Sequence, residues 1–118
     1  MSIALKRAYE NPGSQDGTRI LVDGLWPRGV KKEDLQIAEW MRAIAPSAKL
    51  RQWYGHDPKR WKEFRERYRH ELAESPRKEL VSELAGLAKS GKLTLVFGAR
   101  DAEHCNATVI AEIIREKV

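Results

Sequence analysis

The run Arg19-Ile20-Leu21-Val22-Asp23 decides the architecture. Its apolar residues are consecutive rather than alternating, so the strand it predicts is covered on both faces, as strands of a parallel sheet are. Thr94-Leu95-Val96-Phe97 repeats the pattern, and Ile3–Leu5 is a third, shorter strand candidate. Between the first two strand candidates in the chain lies Glu10-Asn11-Pro12-Gly13-Ser14-Gln15-Asp16-Gly17-Thr18, so dense in turn formers that it reads as a loop or one irregular turn. That link supports either a hairpin or a shortened crossover.

Working outward, four helices are predicted. Residues 33–44 place Ile37, Trp40, Met41 and Ile44 on one face. Residues 58–74 open on Asp57-Pro58, an acceptor at the cap position followed by proline at the first helical position, and carry Trp61, Phe64, Tyr68 and Leu72 in one stripe. Residues 76–89 bring Leu80, Val81, Leu84 and Leu87 together and stop at Ser90-Gly91. Residues 102–117 bury Val109, Ile110, Ile113 and Ile114. Apolar strands separated by amphipathic helices predict a small, single-domain α/β protein over residues 1–118, a mostly parallel sheet of few strands flanked by about four helices.

A length of 118 residues suits one domain with an adequate core. With 42% hydrophobic and 33% charged residues and only 5 Pro, the composition excludes disorder, collagen and coiled-coil rods. No apolar run approaches a membrane span, and Met1-Ser2-Ile3-Ala4-Leu5-Lys6-Arg7 lacks a signal-peptide core, so a cytoplasmic home and no membrane partner are expected. The single cysteine, Cys105, has no internal disulfide partner.

The net charge of +5 is localised. Residues 49–78 hold ten bases and five acids, whereas the rest of the chain carries twelve of each. A basic stripe attracts phosphates and nucleic acid. Against that, Lys59–Glu63, Lys62–Glu66, Glu63–Arg67 and Arg67–Glu71 stand four apart, the spacing at which a helix pairs its own charges.

Ligands of parallel sheets bind beyond the carboxyl ends of the strands, which selects two segments. In Val22-Asp23-Gly24-Leu25-Trp26-Pro27-Arg28-Gly29, proline fixes the path, glycine permits close approach, and Arg28 offers a planar fork for phosphate or carboxylate. Asp23 either orients that arginine or accepts a proton. In Gly98-Ala99-Arg100-Asp101-Ala102-Glu103-His104-Cys105-Asn106, a helix starting after Asp101 would offer its first amides to an anion beside Arg100, with His104 as acid or base. Cys105 in that first turn is either an activated nucleophile or, more commonly, a small buried residue. A third segment, Trp53-Tyr54-Gly55-His56-Asp57-Pro58, reads equally as a ligand wall or as the lead-in to a capped helix. There is no Walker loop, no GxGxxG or GxSxG, and no HExxH or paired CxxC, so no metal or cofactor is expected.

Four segments in order, Leu5-Lys6-Arg7-Ala8-Tyr9, Leu21 through Gly29, Trp53 through Pro58 and Ala99 through His104, resemble the YeaO-like branch of the domain-of-unknown-function 488 family over nearly the full chain. The resemblance implies a small bacterial or archaeal cytoplasmic α/β protein and carries no activity with it. It makes Asp23, Trp26, Pro27, Arg28, Trp53, Gly55, His56, Asp57, Arg100, Asp101 and His104 the family-typical positions. Two residues depart from the pattern: Gly24 replaces a larger residue, usually arginine, and Cys105 replaces asparagine.

The first functional expectation is therefore a binder of, or enzyme for, an anionic (phosphorylated or carboxylated) small molecule in a strand-end pocket. Asp23 and His104 form its acid–base pair, and Arg28, Trp26, Trp53, His56, Arg100 and Asp101 its ligand-binding set. The second is a nucleic-acid-binding protein using the basic helix 58–74 with Trp53 and Tyr54 as stacking groups. The third is a non-catalytic scaffold or dimerisation module.

Overall fold

The computed structural model describes residues 2–117. Four strands, β1 (Ser2–Arg7), β2 (Thr18–Leu21), β3 (Glu39–Trp40) and β4 (Lys92–Phe97), form an all-parallel sheet in the order β1-β4-β2-β3. Five α-helices complete the fold: α1 (Lys32–Leu35), α2 (Ala48–Tyr54), α3 (Trp61–Leu72), α4 (Arg77–Ser90) and α5 (Asn106–Lys117). The small α/β class with a parallel sheet is the one the apolar strands predict. Among the described residues no helix is long and apolar enough to cross a membrane.

The strand periodicity of two sorts side chains between two unequal layers. Ile20, Val22, Leu93, Leu95 and Phe97 point into the main core, where α2 to α5 supply Leu50, Phe64, Tyr68, Leu84, Ile110 and Ile114. Leu21 and Val96 point the other way, into a small cluster with Ala8, Leu35, Trp26, Val30, Ile37 and Trp40. Thus both faces of β2 and β4 are buried, but α2 to α5 all pack on one of them.

Residues 8–17 resolve the open question of the first link. Because β1 and β2 both run parallel to β4, which lies between them, the link is a crossover made without a helix. Asp16 fastens it. Its carboxylate accepts from Gly13 N (2.9 Å), Arg19 Nη1 (2.7 Å) and Lys6 Nζ (3.1 Å), and its carbonyl accepts from Thr94 Oγ1 (2.6 Å).

Three expectations are corrected. Residues 33–44 do not form one helix. α1 ends after one turn as Gln36 enters the left-handed region (φ 52°), and Glu39-Trp40 then pairs with Ile20-Leu21. Trp40 and Met41 consequently face opposite layers, Trp40 with Trp26 and Met41 with the main core. Residues 58–60 are a 3-10 turn ahead of α3; as expected, the Asp57 side chain accepts at its N-terminus, from Lys59 N. The last helix begins at Asn106, not at residue 102: residues 102–105 form turns, held by Asp101 accepting from the amides of Glu103 (3.0 Å) and His104 (3.2 Å).

Candidate functional site

Two adjacent strands, β2 and β4, end beside one another, and a cavity of about 270 Å³ opens beyond them. Four stretches of chain line it: Asp23–Pro27 after β2, Ala45-Pro46, the C-terminal end of α2 with His56, and Gly98-Ala99 with Cys105-Asn106 after β4; Phe64 closes it from α3.

Asp23 forms the junction between the strand ends. Its Oδ2 accepts from Gly98 N (2.7 Å) and its Oδ1 from Asn106 Nδ2 (3.1 Å), which also donates to the Val22 carbonyl (3.0 Å). Burial pushes the Asp23 carboxyl above its ordinary value, while those donors and the His56 imidazole pull it down. A Cβ on Gly98 would lie 3.2 Å from Oδ2, so the strand end stays bare where the carboxylate reaches it.

Downstream, the chain turns sharply. Val30 N donates to the Pro27 carbonyl (3.4 Å), with Gly29 in the left-handed region (φ 79°) at the third position of the turn, where only glycine is comfortable. Trp26 Nε1 donates to the Val30 carbonyl (2.7 Å), and its ring meets Trp40 edge-on at 5.5 Å. Arg28 is exposed at the tip of this turn, outside the cavity lining.

The Trp53–Pro58 segment is the exit from one helix and the entry to the next. Gly55 caps α2 in the left-handed region (φ 53°), and His56 follows there too (φ 57°), a conformation that costs a side chain energy and sets the imidazole at the cavity. Tyr54 is buried against Phe64 (ring centroids 4.2 Å) and donates to the His104 carbonyl (2.8 Å); burial raises its hydroxyl to about 12. Trp53 lies outside the lining, with Arg67 (4.5 Å) and Arg60 (5.3 Å) against its ring.

Of the residues predicted for the site, Asp23, Trp26 and His56 line the cavity; Arg28, Trp53, Arg100, Asp101 and His104 do not. His104 Nδ1 instead lies 2.7 Å from Asp101 Oδ2, holding that exposed carboxyl below its usual range, and its ring meets Trp61 edge-on. The expected anion cradle of helix amides at residues 102–105 is absent, because those amides precede the helix. Burial pushes the Cys105 thiol up, the opposite of an activated nucleophile.

Sequence reasoning passed over Arg51, read Tyr54 only as part of a wall or as a stacking group and Phe64 only as a helix-stripe residue, and gave Asn106 no role; all four line the cavity. Arg51 carried a usable signal: it stands in the basic segment with Ser47 and Gly55 four residues to either side, so no acid is spaced to pair with it. Among the described residues it has no carboxylate partner. Nor do they include a group of three or more His, Cys, Asp or Glu arranged to hold a metal ion.

Comparison with known proteins agrees with the motifs. The family described as the inactive DUF488-N3 subclade matches residues 2–118. The chain is similar to the uncharacterised protein YeaO of Escherichia coli, 41% identical over 115 residues, 98% of each chain. It is also similar to the uncharacterised protein Rv3073c of Mycobacterium tuberculosis, 37% identical over 112 residues, 95% of this chain and 92% of the relative. No solved structure matches.

Proposed function

This chain belongs to the inactive DUF488-N3 subclade, and from that premise we propose that its strand-end cavity binds a small carboxylate- or phosphate-bearing molecule without transforming it. The observation that carries the reading is Arg51: a guanidinium with no carboxylate partner among the described residues, placed at a cavity otherwise walled largely by Trp26, Pro27, Pro46, Tyr54, Phe64 and Ala99. A fork of donors beside apolar walls suits a ligand with an apolar body and one anionic end. His56 supplies a second polar contact, and the exposed Arg28 and Arg100, which follow the lining residues Pro27 and Ala99 in the chain, add positive field.

Binding is favoured over catalysis by the state of the reactive groups. Both Asp23 oxygens are engaged by Gly98 and Asn106, His104 is turned to Asp101, and the Cys105 thiol is held protonated by burial. A subclade described as inactive accords with that. The nucleic-acid reading loses its stacking groups, since Tyr54 is buried on Phe64 and Trp53 is flanked by two arginines of its own chain.

Titration of the 15N-labelled protein with benzoate, phenyl phosphate and the neutral benzamide tests the proposal. The expected shifts centre on Asp23–Trp26, Arg51 and Gly98-Ala99, with the anions bound more tightly. Arg51→Gln is expected to weaken benzoate about tenfold, the equivalent of about 1.4 kcal/mol. Equal affinity for benzoate and benzamide overturns it.

A further inference from the structure

We propose that Gly24 is a specificity-determining position of this cavity: its missing side chain lets the Arg51 guanidinium lie across the loop at the mouth, and so sets the preference for an anionic ligand. This rests on the anion-binding reading above and names what creates it.

Gly24 does not occupy the left-handed region, so its backbone accepts an L side chain; what such a side chain would crowd is the end of Arg51. A Cβ built there would lie 3.3 Å from Arg51 Nη1 and 3.5 Å from Ala45 Cβ. Neither the loop nor Ala45 is free to recoil. Arg42 Nε donates to the Gly24 carbonyl (3.2 Å) while its guanidinium lies over Trp40 (4.9 Å), and Trp40 Nε1 holds the Asp23 carbonyl (2.7 Å). Ala45 is buried and closes the 3-10 turn through its amide to Arg42 O (3.3 Å). The group that must give way is therefore the end of the Arg51 side chain, the one flexible partner in the contact. Elsewhere the protein shows the contrast: a Cβ on Gly86 or Gly91 would meet nothing within 4 Å.

A β-branched residue at position 24 extends past the Cβ and fills the space the guanidinium occupies. The wild-type protein, Gly24→Val, Gly24→Ala, Arg51→Gln and the control Gly86→Ala are compared for benzoate and benzamide binding, and the ligand-free Gly24 variants are crystallised. Gly24→Val is expected to lower the ratio of benzoate to benzamide affinity about tenfold, as when a charge-assisted contact is removed, and to show the Arg51 guanidinium turned away from residue 24. Gly24→Ala gives the same change in smaller measure and serves where the valine fails to fold. A wild-type protein indifferent to charge sinks the anion-binding reading and this inference with it. Charge preference lost in Arg51→Gln but kept in Gly24→Val, or a guanidinium that stays in place in both Gly24 variants, sinks this inference alone.

Discussion

Asp16 secures the sheet face that carries no long helix. Four donors converge on its side chain and carbonyl, from Gly13, Arg19, Lys6 and Thr94, and Arg19 in turn donates to the Leu35 carbonyl (2.8 Å). The Gly13 amide is the largest cause of lowering and the two cations add to it, so the carboxyl falls from 3.8 to about 2 against the opposing effect of burial. A depressed carboxyl stabilises the fold above its unfolded value and loses that contribution as pH falls through its folded one. Asp16→Asn leaves Arg19 buried without its anion and is expected to cost about 3 kcal/mol at pH 7 in urea denaturation. The gap to wild type should close between about pH 4 and pH 2; a gap that persists at pH 2 would assign the loss to shape, not charge. At this scale the sequence was only partly legible. Asp23, Trp26 and His56 reach the cavity because special residues at a strand end or helix exit had to be there for a reason. Arg28 lies outside the lining, at the second position of a turn whose third is glycine, and Arg51 leaves no pairing pattern in the sequence to mark it, since among the described residues it has no carboxylate partner.

Among the elements, the two-residue β3 joins the sheet edge to the site loop. Glu39-Trp40 pairs with β2, and Trp40 ties that edge to the site loop through the Asp23 carbonyl and the Trp26 ring. Trp40→Ala removes a half-buried aromatic and a hydrogen bond together, and is expected to lower stability by about 2 kcal/mol. It should also broaden the amide signals of residues 23–27 in the NMR spectrum; sharp, unshifted signals there would show the loop to be held without it. Residues 33–44 read as a helix because Ile37, Trp40, Met41 and Ile44 satisfy helical spacing, yet the same residues satisfy a strand that hands Trp40 to one layer and Met41 to the other. Local periodicity does not distinguish the two; the free edge of β2 does, and that is a tertiary fact. α2 was invisible for a different reason: its seven residues bury only Leu50 and Tyr54 fully, too short a stretch to establish a stripe. By contrast α3, α4 and α5, each with three turns or more, are long enough for their stripes to be unambiguous.

Across the whole molecule, the surplus of positive charge in residues 49–78 is answered from another helix as much as from its own segment, where Arg60 pairs with Asp57 and Arg67 with Glu63. Of the four pairs spaced for self-neutralisation, only Glu63–Arg67 forms an ion pair among the described residues. Glu112 of α5 instead takes Arg65 (2.8 Å) and Arg69 (3.3 Å), and Glu116 takes Arg69 (2.6 Å). These bridges are partly exposed, so each adds about 1 kcal/mol or less to stability and weakens with salt. Their larger consequence is for the field: Arg65 and Arg69 each face a carboxylate of α5, and Arg60 and Arg67 lie against Trp53. An RNA mixture should therefore be retarded weakly, with the logarithm of affinity falling against that of salt by a slope of about 2 or less, the slope of very few phosphate contacts. Glu112→Gln with Glu116→Gln releases Arg65 and Arg69 and should steepen that slope by about 1–2 while the protein stays folded. A wild-type slope already steep, or one the double variant leaves unchanged, would mean that α5 does not mask the basic helix.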